Sequence, residues 1–261
     1  MATNELTDAE RAYLEMLIWL SEAGLPMTAA NVARAMRVSA PSVHEMIGRL
    51  ERSELITRGA DKVIAFTPEG ERQAQEIVSR HRLIERFLTD VLGIPWDEVH
   101  EEAERLEHAM SPVLEERMMA AIGDASTCPH GHPIRVGSRL PGVPLADVDA
   151  GASIRVLRFE NEAEDLLHYL RSTGLEPGLE GTLVESGESE LVIESDGRRC
   201  VITRSVAETV SVAADPSPPP RVALPEQLVL GGQRYGRGAR VAAWRVRARR
   251  PSAGRRRAAS R

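Results

Sequence analysis

Aromatic residues are scarce, with three Phe, three Trp and three Tyr in 261 residues, so any core this chain builds is aliphatic. Cysteine is scarcer still. Two thiols, Cys128 and Cys200, exclude a disulfide framework and fit a reducing compartment, where a cysteine serves as a structural thiol or a metal ligand. No apolar run approaches the ~20 residues that cross a bilayer, and the opening MATNELTDAER has neither the basic nor the apolar segment of a secretory leader. A cytoplasmic protein with no membrane partner is the expectation. The H-E-x-x-H pattern of a zinc peptidase and any activated nucleophile are also missing, which argues against an enzyme and against a small-molecule substrate.

What is present is unevenly charged. Twelve of the 33 Lys and Arg lie from Arg221 onward, all Arg, near only Asp215 and Glu226; residues 1–212 carry 21 basic and 37 acidic groups. An acidic body does not bind phosphates by bulk charge unless something cationic is added to it, and metal ions would do that. The length and the 42% hydrophobic content allow more than one small core.

Residues 1–73 read as three helices and a hairpin. TDAERAYLEMLIWLSEAG has an N-cap at Thr7, an apolar stripe at Leu14, Leu17 and Ile18, and a stop at Gly24. TAANVARAMRV is a short second helix, and APSVHEMIGRLERSELI a third, capped by Ser39 or Ser42. ITRGADKVIAFTPEG alternates around a Gly-Ala-Asp turn like a two-stranded wing. This is the order of a winged helix-turn-helix, a fold that binds duplex DNA in some chains and only packs helices in others.

A fourth helix, about Thr67 to Leu92, carries His81 and Glu85 one turn apart, beside Ile84, Leu88 and Val91. Then comes VHEEAERLEHAMS, Val99 to Ser111, with four Glu and two His on about three turns. At about 100° per residue, His100, Glu104, Glu107 and His108 share one face while Val99, Ala103, Leu106 and Met110 share the other. Like charges at this spacing repel. Facing helices that bring His81 and Glu85 to this acidic face would form a carboxylate and imidazole cage, and a bound cation would offset the repulsion.

The run HRLIERFLTDVLGIPWDEVHEEAERLEHAMS behind a winged helix resembles the metal-dependent repressors of the diphtheria toxin repressor family, over roughly residues 7–212. The resemblance implies a mainly α protein with small β parts: a winged helix-turn-helix (1–73), a helical dimerisation and metal-binding domain (74–145), and an SH3-like, FeoA-like β-barrel (152–212) with one helix at about Asn161 to Ser172. It implies a homodimeric repressor that binds double-stranded operator DNA near metal-homeostasis genes. Two metal sites per subunit come with it. The activating site would comprise His81, Glu104, Glu107 and His108, plus a ligand from the first helix. Ala12 stands where relatives carry Asp or Met, and Glu15, one turn on, is the substitute. Glu at 104, where the iron regulators carry Cys, replaces soft sulfur with hard oxygen and favours Mn2+ over Fe2+. For the second site the resemblance offers two sets. The streptococcal manganese type uses Glu85, Cys128, His130 and Asp165; the iron type uses His81, Glu85, His100 and Glu162. The first set accounts for CPHGHP, with Zn2+ admitted by the thiolate and His132 a bystander; CPHG as a plain interdomain turn is the other reading.

At the start of the third helix Ser39, Pro41, Ser42, His44 and Glu45 stand where bases would be read, and none is an Arg that grips guanine with two bonds, so shape readout carries weight. Arg37, Arg49, Arg58 and Lys62 are the candidates for phosphate contacts. From 213 to 261 the Pro- and Arg-rich composition reads as a disordered basic tail. A winged-helix regulator with purely structural metals and a different trigger is the alternative function.

Overall fold

The computed structural model describes residues 6–135, 141–215, 227–230 and 233–236. Helix α1, Asp8–Glu22, opens with a reciprocal cap: the Thr7 side chain accepts from the Glu10 amide, and the Glu10 carboxylate accepts from the Thr7 amide at 2.8 Å. Helix α2, Ala29–Met36, is capped by Thr28 and stops where Arg37 turns left-handed. Of the two serines available to α3, Ala40–Arg52, Ser39 caps it by accepting from the Ser42 amide. Strands β1, Ile56–Arg58, and β2, Ile64–Phe66, pair antiparallel as the wing. Leu14, Leu17, Leu20, Val43, Ile47 and Leu50 are fully buried together, the aliphatic core that the composition requires.

Helix α4, Pro68–Asp90, is 23 residues long, roughly 35 Å, and it belongs to two cores. Its first half sends Ala74, Ile77 and Val78 into the winged-helix core. Its second half sends Leu83, Ile84 and Leu88 into a smaller cluster with Val99 and Ala103 of α5, Val99–Glu107, and Met118 of α6, Pro112–Ala121. Between these packed patches the same helix buries His81, Arg82 and Glu85. Burying ionisable groups beside a small core costs stability unless they are paired or metal-bound.

Helix α5 is shorter than its sequence pattern predicts. It ends at Glu107 with His108 as its C-cap, because Pro112 begins the next helix and the preceding Ser111 takes an extended conformation to cap it. The predicted packing stripe is correspondingly shorter: Val99 and Ala103 are buried, but Leu106 and, on α4's end, Val91 are exposed.

The C-terminal part is a six-stranded antiparallel sheet in the order β3-β8-β4-β5-β6-β7. Its strands are β3 Val143–Pro144, β4 Ser153–Phe159, β5 Glu180–Ser186, β6 Glu190–Ser195, β7 Arg198–Thr203 and β8 Val210–Asp215. Helix α7, Glu164–Thr173, links β4 to β5 and buries Leu167 and Leu170 in one core cluster with Phe159 and Leu183; the short α8, Arg204–Ala207, links β7 to β8. Within the segment expected to be disordered, β9, Gln227–Leu230, pairs antiparallel with β10, Gln233–Gly236. The Gly-Gly between them in sequence is a turn signal. The Arg-rich stretch from 237 to 261 lies outside the described residues. Among the described residues no helix is long and apolar enough to cross a membrane.

Candidate metal centre

His81 stands where three helices meet. Its Nδ1 lies 3.0 Å from Glu107 Oε2 of α5 and 3.8 Å from Glu15 Oε1 of α1. Its Nε2 lies 3.1 Å from Glu85 Oε1, one turn on along α4, and 3.0 Å from His100 Nδ1. Glu15, the substitute for the ligand missing at Ala12, is buried, and its Oε1 has no hydrogen-bond partner among the described residues. Burial pushes Glu15 up to about 8; His81 opposes this and Glu107, Glu85 and Glu104 reinforce it. Burial alone would strip the proton from His81, but Glu85, Glu107 and Glu15 outweigh it and hold the ring well above its usual value.

Glu104 and His108 sit at the rim. Glu104 is partly buried and close enough to His100, Glu107, His81 and His108 to feel their charges, with burial raising its carboxyl. His108 Nε2 is 3.8 Å from Glu107 Oε1, and its Nδ1 is 3.6 Å from Asp8 Oδ1. Asp8 was not among the sequence candidates. Its only signal is position: it lies one turn before Ala12 on the same helix.

The second group is built by a loop. In CPHGHP the Cys128 amide donates to His132 O and the Gly131 amide to Cys128 O. Gly131 has φ +94, and a Cβ there would lie 2.0 Å from Leu157 O, so only glycine lets the loop seat against β4. His130 Nε2 donates to the carbonyl of Trp96 at 2.7 Å, which leaves Nδ1 to face Glu85 Oε2 at 3.4 Å, Glu162 Oε2 at 3.7 Å and Cys128 Sγ at 4.0 Å. Burial raises the Cys128 thiol. Against the pull of burial, His130 and His81 hold Glu85 well below the usual carboxylate range.

Asp165 does not join this group. It is exposed in the first turn of α7 and belongs to none of the close donor groups among the described residues. From the SH3-like domain Glu162 comes near instead, 3.7 Å from His130 Nδ1 though also outside the close donor groups, because α7 starts only at Glu164 and Glu162 lies in the turn that leaves β4. His132 is buried and lies outside the close donor groups; its Nε2 donates to Phe159 O at 2.8 Å and lies 3.4 Å from Glu162 Oε1. Arg82 ties the loop to the helices, donating to Pro133 O and to both oxygens of Glu22 on α1.

All nine candidate DNA contacts, Arg37, Ser39, Pro41, Ser42, His44, Glu45, Arg49, Arg58 and Lys62, are exposed. Arg49 is held 3.1 Å from Glu10, and Arg58 donates to Glu51 at 3.0 Å. Arg37 and Lys62 form no ion pair among the described residues.

Groups that offer one donor atom each within 4.8 Å are Glu15, His81 and Glu107; His81, Glu85 and His100; and Glu85, Cys128 and His130. Imidazole nitrogens and carboxylates with buried, unpartnered oxygens on Glu15 and Glu85 are the donor chemistry of a divalent cation. A fourth group, Asp97, Glu98 and His168, differs in that Arg171 already neutralises Asp97 at 2.6 Å.

Residues 5–62 match the family described as iron dependent repressor, N-terminal DNA binding domain. Residues 67–135 match its metal binding and dimerisation domain, and residues 143–214 match the FeoA domain. The chain is 31% identical to the iron-dependent repressor IdeR of Mycobacterium tuberculosis over 227 residues, 80% of this chain and 98% of that one. A manganese-dependent transcriptional repressor in complex with manganese superposes with a TM-score of 0.69 at 30% identity, over 78% of this chain and 99% of that one. ScaR with bound Zn2+ superposes with a TM-score of 0.66 at 28% identity, over 78% and 98%.

Proposed function

The chain belongs to the iron-dependent repressor family, that of the diphtheria toxin repressors, and on that premise we propose that it is a Mn2+-activated homodimeric repressor of metal-homeostasis genes, with Fe2+ the alternative activator. One observation carries this reading. His81 lies within 3.8 Å of Glu15 on α1 and within 3.0 Å of Glu107 on α5, so the activating donors come from both the DNA-binding and the dimerisation domains.

Glu15 packs in the winged-helix body, His81 on the shared helix α4, and Glu104, Glu107 and His108 on α5 and its cap. These five residues would hold the activating ion. A divalent cation there supplies the positive charge that lets three neighbouring carboxylates stand together. Without it burial keeps a proton on Glu15 at neutral pH, and α1 lacks the ionic link to α5. With the full donor set engaged, α1 is anchored to α5, and the arrangement that offers that set is favoured in proportion to metal concentration over Kd. In a twofold dimer the useful arrangement sets the two α3 helices in successive major grooves, about 34 Å apart. Val91, Leu92 and Val113 at the ends of α4 and α6 are exposed apolar residues in the region matching the dimerisation domain, which supports pairing through that region.

Glu85, Cys128, His130 and Glu162 would form the second site, joining the helical domain to the SH3-like domain. Its thiolate admits Zn2+. The test is a gel-shift titration of an operator fragment with Mn2+, Fe2+, Zn2+ and a chelator, run on wild type, Glu107→Ala and His108→Ala. Metal-dependent binding by the wild type that both variants lose supports the reading; metal-independent binding, or a full response in the variants, overturns it.

A further inference from the structure

The two candidate sets for a second site are not alternatives in this fold. His81 Nε2, Glu85 Oε1 and His100 Nδ1 lie 3.1, 3.0 and 3.0 Å from one another. About 3.0 Å is the donor spacing along the edge of an octahedron whose metal–ligand bonds are about 2.1 Å. Two imidazoles and one carboxylate on such a face leave the remaining positions open.

The other group is spaced differently. Around His130 Nδ1 the distances are 3.4 Å to Glu85 Oε2, 3.7 Å to Glu162 Oε2 and 4.0 Å to Cys128 Sγ. Wider spacing with a sulfur donor suits a closed tetrahedral site, where bonds of about 2.0 Å to nitrogen or oxygen and about 2.3 Å to sulfur need longer edges. The two groups share a single side chain and use opposite oxygens of it. Glu85 is fully buried, its Oε1 turned to the two histidines and its Oε2 lacking a hydrogen bond among the described residues.

We propose that the Glu85 carboxylate bridges two ions, an open six-coordinate one on His81 and His100 and a closed four-coordinate one on Cys128, His130 and Glu162, so that each subunit takes three ions with the activating one.

Charge favours a third ion over two. Glu15, Glu85, Glu104, Glu107 and Glu162 with an ionised Cys128 and a His81 imidazolate put seven negative charges in or beside one interior region, of which three divalent ions compensate six and two only four, where uncompensated charge is costly. His81 joins the row at the other end, its Nδ1 turned to Glu15 and Glu107 and its Nε2 to Glu85 and His100; to serve both neighbouring ions it releases its ring proton to solvent and acts as an imidazolate. The activating site and the bridged pair are therefore consecutive links of one chain of donors.

The inference rests on the metal-binding part of the proposed function, and its test does not use DNA. Full-length protein is loaded with Co2+ without oxygen, and ions per subunit are counted by native mass spectrometry while visible absorption reports tetrahedral cobalt. Three ions in the wild type are expected, with an intense tetrahedral band. Cys128→Ser should keep two and lose the band; His100→Ala should keep two and retain it; Glu85→Ala should keep one. Two ions or fewer in the wild type overturns the proposal, as does a count that neither His100→Ala nor Cys128→Ser lowers. Circular dichroism of each metal-free variant separates ligand loss from misfolding, and His100→Gln or Cys128→Ala replaces any variant that fails to fold. Three ions with metal-independent operator binding would sink the repressor mechanism alone; two ions with metal-dependent binding would sink this inference alone.

Discussion

His130 donates its Nε2 proton to the Trp96 carbonyl at 2.7 Å, and that one bond decides which nitrogen of the ring points at Glu85. The loop that holds the ring depends on Gly131, where a Cβ would come within 2.0 Å of Leu157 O at a φ of +94. Gly131→Ala should cost about 2 kcal/mol or more and push His130 away from Glu85. Chelator competition should show loss of the thiolate-bearing ion with the activating ion retained. Unchanged affinity at both would contradict the role given to the loop.

The metal-free centre has a definite pH behaviour. His81 and His130 carry folded pKa values well above 6.5, so the stability they contribute is complete below 6.5 and is lost as pH rises through the folded value. Glu15, raised from 4.5 to about 8, acts in the same direction, because between those values only the folded chain keeps the proton. The Tm in chelator should therefore fall as pH rises from about 6.5 to 8, while the upward shift in Tm on adding Mn2+ grows and metal uptake releases protons. A metal-induced shift that shrinks with rising pH would refute the assignment.

Glu15→Gln tests the substitute ligand. Losing a first-helix donor should weaken the activating ion by at least the roughly 10- to 100-fold typical of losing an outer-shell partner. The metal-free protein should become more stable near neutral pH, because Glu15, ionised in the unfolded chain, must take up a proton on folding and Gln need not. Isothermal titration and thermal melts read both effects. Unaltered affinity would return the role to another residue, with Asp8 next to be tried.

Arg82 is buried and holds Glu22 of α1 and the carbonyl of Pro133 at once. Truncating it leaves Glu22 uncompensated. Since Glu22 retains some solvent contact, Arg82→Ala should cost about 3 kcal/mol, the lower end for a broken buried pair, measured by urea denaturation in chelator. A loss below about 1 kcal/mol, the ceiling for a surface pair, would show that the interaction is dispensable.

Arg37 and Lys62 are exposed and carry no ion pair among the described residues, whereas Arg49 and Arg58 are engaged by Glu10 and Glu51. Arg37→Ala and Lys62→Ala should each lower the slope of log affinity against log salt by about 1. Arg49→Ala and Arg58→Ala should change it less. Fluorescence anisotropy over a salt series measures the slopes, and the reverse order would reassign the phosphate contacts.

Local signals were legible in the chain itself. Thr7 and Ser39 announced helix starts, because a cap is a bond between neighbours in sequence. His81 with Glu85, and Glu104 with Glu107 and His108, announced their shared faces for the same reason. The end of α5 was misread: the helical spacing continues past Glu107 through His108 and Met110, but Pro112 commits the next helix and stops this one. The two second-site sets offered different donors from the SH3-like domain, Asp165 in one and Glu162 in the other. Asp165 and Glu162 are three residues apart, and only the exit angle of β4 into α7 decides which of them faces His130.

Residue order alone determined the aliphatic cores, the winged-helix sequence of elements and the supply of imidazole and carboxylate on two helices, because each follows from periodicity and capping within a dozen residues. Folding decided the rest. That Glu15 and Glu107 meet across His81, and that one carboxylate at position 85 serves two donor groups, depends on how distant segments pack, and no local spacing encodes the angle between them.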